Sequence, residues 1–406
     1  MNTPQNDRQH TRPGTRRLRF QLVALAVVSA VVLAGCGNDD KADEPNGRTS
    51  PSSSPGTEVT IDPATGESNG GVVVTEQRFF SASSPWNNRA DDDQLDPNSD
   101  RMIDKARIRV GVCEEENASG ALRLCERPIT EGLFINTEAW TTPVVVGGEP
   151  TNVVCRQLKC GDGDDTVVLN IPADVDPDPR FDGWFTIFDT SHSVAYDLWR
   201  ARRENDGSIS YHFMREWDLN GPGYGAPQAV SARGSGLPLF AGLIGPDELE
   251  RGLIEHALAI SLPGPASNFF VAPASSTDGN GSEQSIPEGA RIRLKADVEL
   301  PRPIDPRTKK PIKLTAQQQR YADAIVAALR TYGAIVVDRA AVPTLYAQRD
   351  VTATYLNGNE LQGLHLEDFE VVKLGRRYAY PPEETINENG VSTSPDTDNN
   401  AGQGAQ

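Results

Sequence analysis

The side chains able to move a proton fall in three places. In residues 253–262 apolar positions alternate, so a strand there would put His256 on one face with Ile254, Leu258 and Ile260. Burial lowers the pKa of an imidazole, which would leave His256 neutral and able to act as a base or to hold a sugar hydroxyl. His192 closes the turn Asp189-Thr190-Ser191-His192, where a neighbouring carboxylate could orient it for general acid–base work. Residues 208–219 alternate as one strand. They place His212, Glu216 and Asp218 on a polar face, opposite Ile209, Tyr211, Phe213, Trp217 and Leu219. Two positions along a strand separate Glu216 from Asp218 by about 6.5–7 Å, inside the roughly 5–9.5 Å spanned by glycosidase carboxylate pairs. Trp217 and Tyr224 offer aromatic faces for a sugar. Arg233 could join them from the Gly-rich connection that starts Gly221-Pro222-Gly223-Tyr224-Gly225 and ends Arg233-Gly234-Ser235-Gly236; connections this long often carry function. The plainer readings are a core histidine, a solvated turn and a solvated acidic face.

Other chemistries lack their residues. There is no H-E-x-x-H and no G-K-[ST], which argues against a zinc protease and a nucleotide-binding loop. Asp162-Gly163-Asp164-Asp165 does not follow the EF-hand register, and no cofactor or metal is expected. Cys113, Cys125, Cys155 and Cys160 show no CxxC spacing. In an exported chain they are expected to form the sequence-local disulfides 113–125 and 155–160.

The elements that must position these groups read mostly as strand. Runs at 108–112, 143–146, 166–171, 184–189, 195–199, 290–295, 334–338 and 369–372 are rich in β-branched and aromatic residues and are broken by turn signals such as Asp182-Gly183 and Asp206-Gly207. Two helices stand out. Pro246 followed by Asp247 and Glu248 opens a short one that Gly252 ends. Thr315 with Gln318 forms a capping box for a longer one, whose apolar stripe is Tyr321, Ile325, Ala328, Leu329 and Tyr332 before Gly333. The expected class is mainly β, a β-sandwich or jelly roll with a few peripheral helices.

The N-terminus predicts where this domain works. Arg8, Arg12, Arg16, Arg17 and Arg19 precede an apolar stretch at 22–34, which as a helix would reach about 20 Å, short of the ~30 Å hydrocarbon core. That is the layout of a secretory signal. It ends Leu33-Ala34-Gly35-Cys36, which resembles the lipobox of bacterial lipoproteins. The resemblance implies cleavage before Cys36, a diacylglyceryl group on its sulfur, and a membrane partner reached through that lipid. Residues 36–75 read as the lipidated Cys and a disordered tether, 76–383 as a β-rich extracytoplasmic domain, and 384–406 as a disordered tail. The chain holds 57 acidic against 39 basic side chains, a net charge of −18, which argues against nucleic-acid binding.

Ser84-Pro85-Trp86-Asn87, Ile171-Pro172, Asp182-Gly183, Tyr196-Asp197-Leu198-Trp199, the block from Gly236 to Ile244, Glu255-His256-Ala257-Leu258, Pro287-Glu288-Gly289-Ala290-Arg291 and Tyr332-Gly333-Ala334 together resemble a family of secreted bacterial proteins. The resemblance covers about residues 80–375 and implies an extracellular β-rich domain, without a mechanism. Trp184 stands where that family is expected to carry a His after Asp-Gly. The expected functions are binding of envelope glycan or a partner on a β-sandwich face, polysaccharide hydrolysis or elimination, or a structural envelope role.

Overall fold

The computed structural model describes residues 79–116, 122–163 and 166–381, plus the two short strands Thr385–Ile386 and Ser392–Thr393. The expected signal segment, Cys36, the expected tether and most of the expected tail lie outside the described residues, as do the side chains of 111–124.

The domain is mainly β, with three sheets stacked face to face and one helix laid on the outermost. A six-stranded mixed sheet runs in the order Phe369–Val371, Arg291–Leu294, Ala334–Arg339, Leu258–Leu262, Thr344–Tyr346, Phe134–Asn136. A four-stranded sheet follows, with Phe213–Asp218, Val194–Trp199, Phe185–Asp189 and Val144–Val146. The third contains Thr166–Ile171, Glu149–Cys155, Ile209–Tyr211 and Arg202–Arg203.

Period-two alternation builds the stack. In Ala334–Arg339, Ala334 and Val336 pack toward the helix Ala316–Thr331, while Ile335 and Val337 pack toward the second sheet. In Val144–Val146, Val144 and Val146 face the first sheet and Val145 the third. Central strands therefore bury both faces and read as continuous apolar runs. The expected capping box is present, with the Gln318 amide N–H donating to Thr315 Oγ1 at 3.1 Å and the Thr315 N–H to Gln318 Oε1 at 3.0 Å. All five residues of the expected helical stripe are buried. The helix Pro246–Arg251 stops where Gly252 turns left-handed at φ 68°.

Three expectations change. The run 208–219 is two strands in two sheets: Ile209–Tyr211 pairs parallel with Glu149–Cys155, and Phe213–Asp218 pairs antiparallel with Val194–Trp199. His212 sits at the switch, and Met214, on the expected polar face, is buried because the third sheet covers it. The strand within 253–262 starts only at Leu258. A third helix, Ser99–Ala106, buries Met102, Ile103 and Ala106. Cys155 and Cys160 form the expected disulfide, with Cα atoms 5.8 Å apart. Cys125 is also disulfide-bonded; the side chain of Cys113 is outside those described.

Candidate functional site

Three carboxylates from distant parts of the chain meet at one end of the sheet stack. Asp278, Glu288 and Asp338 each place an oxygen within 4.8 Å of the other two. Asp338 comes from the end of Ala334–Arg339, where the buried run 334–337 gives out. Glu288 lies in the turn that enters Arg291–Leu294, and its backbone carbonyl accepts from the Val271 N–H at 3.0 Å. The next residue, Gly289, has φ 85°, and a Cβ there would lie 1.8 Å from the Val271 carbonyl oxygen. Only glycine allows that close approach. Asp278 occupies a loop beyond Phe269–Val271; its own N–H donates to Glu288 Oε2 at 3.2 Å, and its carboxylate pairs with Arg339 Nε at 2.8 Å. Gly234 brings the Gly-rich connection against the cluster, since a Cβ on it would stand 2.3 Å from Asp278 Oδ1.

The electrostatics divide the three acids. Burial pushes Asp338 from an ordinary 3.8 up to about 7, and the Asp278 charge adds to the rise against the pull of Arg233 and Arg339. Glu288 is completely buried and held well above the ordinary carboxylate range by burial and by both neighbouring acids. Its Oε1 has no hydrogen-bond partner, and neither has the buried Oδ1 of Asn280.

The cluster opens into two adjoining cavities of about 640 Å³ and 390 Å³, both lined by Asp182, Trp184, Asp278 and Asp338. Trp140, Asn280, Tyr346 and Arg109 line the larger, Trp199, His212, Lys159 and Arg233 the smaller. Trp140 is half exposed and packs edge-on against Phe181 at 5.6 Å. The Arg233 guanidinium lies over the Tyr346 ring at 4.7 Å. Burial and the Asp338 charge raise the Tyr346 phenol, which hydrogen-bonds Ser261 Oγ. Behind this wall, fully buried Asp197 accepts from Thr186 Oγ1 at 2.6 Å, Trp217 Nε1 at 2.8 Å and the Leu239 N–H at 2.7 Å. Burial holds Asp197 at about 6 despite those donors.

The groove gathers some of the expected residues and leaves others out. Arg233 and His212 both line it. Trp217 does not offer a stacking face: it is buried in the core, with its indole committed to Asp197. Glu216 and Asp218 are exposed on Phe213–Asp218, and Tyr224 is exposed in the Gly-rich connection; none of the three lines the groove. His192 is exposed in its turn, with Nδ1 2.7 Å from Asp189 Oδ2.

His256 stands apart, on a separate cavity of about 110 Å³ that Asp247, Glu248 and Trp86 help to line. Its Nε2 lies 2.9 Å from Glu248 Oε1 and its Nδ1 3.0 Å from the Ala257 carbonyl oxygen. Burial acts to lower its pKa, but the Glu248 charge and hydrogen bond prevail and raise it. The ring, paired with Glu248, ties the helix Pro246–Arg251 to the entry of Leu258–Leu262. Burial and the neighbouring Glu248 charge also push Asp247 up to about 6.

Sequence reasoning passed over Asp278, Glu288 and Asp338. The available signals were an acid ending the apolar run 334–337, a Glu ahead of a conformationally special glycine, and the turn Asp278-Gly279-Asn280-Gly281. Neither was a metal-binding set expected, yet three carboxylates beside Asn280 Oδ1 are hard oxygen donors of the kind a divalent cation takes. Comparison with known protein families, curated proteins and solved structures gives no match.

Proposed function

We propose that this protein is a polysaccharide-cleaving enzyme of the bacterial cell exterior, held to the membrane by a lipid on Cys36, with its reaction centre at Asp278 and Asp338. One observation carries the reading: a carboxyl that titrates at about 7 stands beside a second carboxylate on an aromatic-lined groove. Two acids whose surroundings separate their proton affinities can share acid and base work. The localisation rests on the lipobox-like Leu33-Ala34-Gly35-Cys36.

Asp338, protonated, would donate to the glycosidic oxygen as the bond to the anomeric carbon breaks. Asp278, oriented by its pairing with Arg339, would attack that carbon and form a glycosyl ester. Asp338, now a carboxylate, would then take a proton from the water that hydrolyses the ester. Oxygens within 4.8 Å of each other are closer than the about 6.5–9.5 Å of a single displacement, which favours the two-step course. Trp140, half exposed, would hold a sugar ring through its face.

A second reading, cation-dependent glycan binding without cleavage, draws on the orphaned acceptors Glu288 Oε1 and Asn280 Oδ1. The full chain, wild type and Asp338→Asn, incubated with envelope and plant polysaccharides and followed by mass spectrometry, separates the two. Shorter glycans carrying one added water, from wild type alone, are expected. Intact glycans together with Ca²⁺-dependent retention on the polymer would transfer the site to the binding reading.

A further inference from the structure

Arg233 is a buried cation with half of its donors idle. The residue is 3% exposed, and its Nη1 donates to the Pro238 carbonyl at 3.2 Å. Its Nε and Nη2 are sealed from water and have no hydrogen-bond partner, and the residue makes no ion pair among the described residues. Leaving buried donors of a charged group unpaired is costly, so such an edge calls for a missing acceptor. The guanidinium plane is already set, by the ring of Tyr346 at 4.7 Å and that of Trp184 at 5.8 Å.

Among the nearby acids, Asp338 acts on Arg233 through its charge without an ion pair among the described residues, and the other two are engaged elsewhere. Asp197 is committed to Thr186, Trp217 and Leu239, and Asp278 to Arg339. The wall around Arg233 is mixed in charge, with Asp182, Asp278 and Asp338 on one part of it and basic side chains on another. Lys159 and His212 line the same cavity, and the Arg200 guanidinium lies over the Trp199 ring at 4.3 Å. The His212 pKa is lowered by burial and then by Arg156, Arg200 and Arg202, which places three guanidinium charges within its reach.

We propose that the Nε–Nη2 edge of Arg233 receives a substrate carboxylate, so that the groove takes an acidic, uronate-bearing polysaccharide and seats a uronate beside Asp338. Two parallel N–H donors on a rigid planar fork match the two oxygens of a carboxylate, a fit that lysine does not reproduce. The proposal rests on the groove being the glycan site, and deepens it by naming the substrate class.

The test alters the ligand first, so that it does not depend on a variant folding. The full chain as Asp338→Asn, which binds without turnover, is titrated by calorimetry with four oligosaccharides: a polyuronate, the same polymer with its carboxyls reduced to alcohols, a neutral glucan and a sulfated neutral glucan. Binding of the polyuronate at least tenfold tighter than its reduced form is expected, with Arg233→Lys losing most of that preference while its melting transition remains cooperative. Equal affinity for the parent and reduced polymers, or binding of the sulfated glucan alone, overturns the assignment. A uronate preference with no cleavage by wild type would sink the enzyme reading and leave this subsite standing.

Discussion

Replacing Asp338 by Asn should make the protein more stable in mild alkali while abolishing its activity. The sign follows from proton linkage. A carboxyl raised from 3.8 to about 7 on folding binds more protons in the folded than in the unfolded chain between those values. The stability it permits is full below pH 3.8 and is lost as the pH climbs through about 7. At about 1.4 kcal/mol per unit of pKa, complete ionisation of Asp338 in place costs at most about 4 kcal/mol. Its side chain is partly open to the groove and shares its proton affinity with Glu288, so about 2 kcal/mol is the working figure. An amide of the same shape carries no charge at any pH. Urea unfolding of wild type and Asp338→Asn at pH 4 and pH 8 reads the effect directly. The expected curves nearly coincide at pH 4 and separate at pH 8, with the variant higher by about 2 kcal/mol. A variant less stable at both pH values, or an offset that ignores pH, would show that Asp338 is an ordinary ionised side chain and would remove its candidacy as the acid.

Three further outcomes follow from individual contacts. Trp217→Phe takes one of three donors from buried Asp197, so thermal unfolding should register a loss of about 1–3 kcal/mol with glycan affinity unchanged; a fall in affinity alone would return Trp217 to the ligand surface. His256→Gln removes an imidazole whose pKa is raised by Glu248 against the effect of burial. Wild type should therefore lose stability as the pH rises past that raised value, the stabilisation being complete below the ordinary 6.5, and the variant should lack this slope. Gly234→Ala would drive a methyl to within 2.3 Å of Asp278 Oδ1, so glycan cleavage should drop at least tenfold while the far-ultraviolet circular dichroism is retained; wild-type turnover would mean that the connection yields freely.

The sequence by itself determined the elements whose causes are local. Thr315 and Gln318 cap a helix because both partners lie within one turn, Gly252 ends another because it accepts a left-handed backbone, and the apolar runs at 144–146, 185–189 and 334–337 are strands. Arg233 and His212, both singled out in the sequence, line the smaller cavity. Tertiary structure alone decided which faces were open. Trp217 and Met214 alternate as expected but are buried, because whole sheets cover them. The His256 pKa is raised because the turn after Pro246–Arg251 folds the ring back onto Glu248. The acid cluster joins positions 278, 288 and 338, and its proton affinities come from burial and mutual repulsion. Those two forces depend on distances in space, which spacing along the chain does not encode when the partners arrive on different strands and loops.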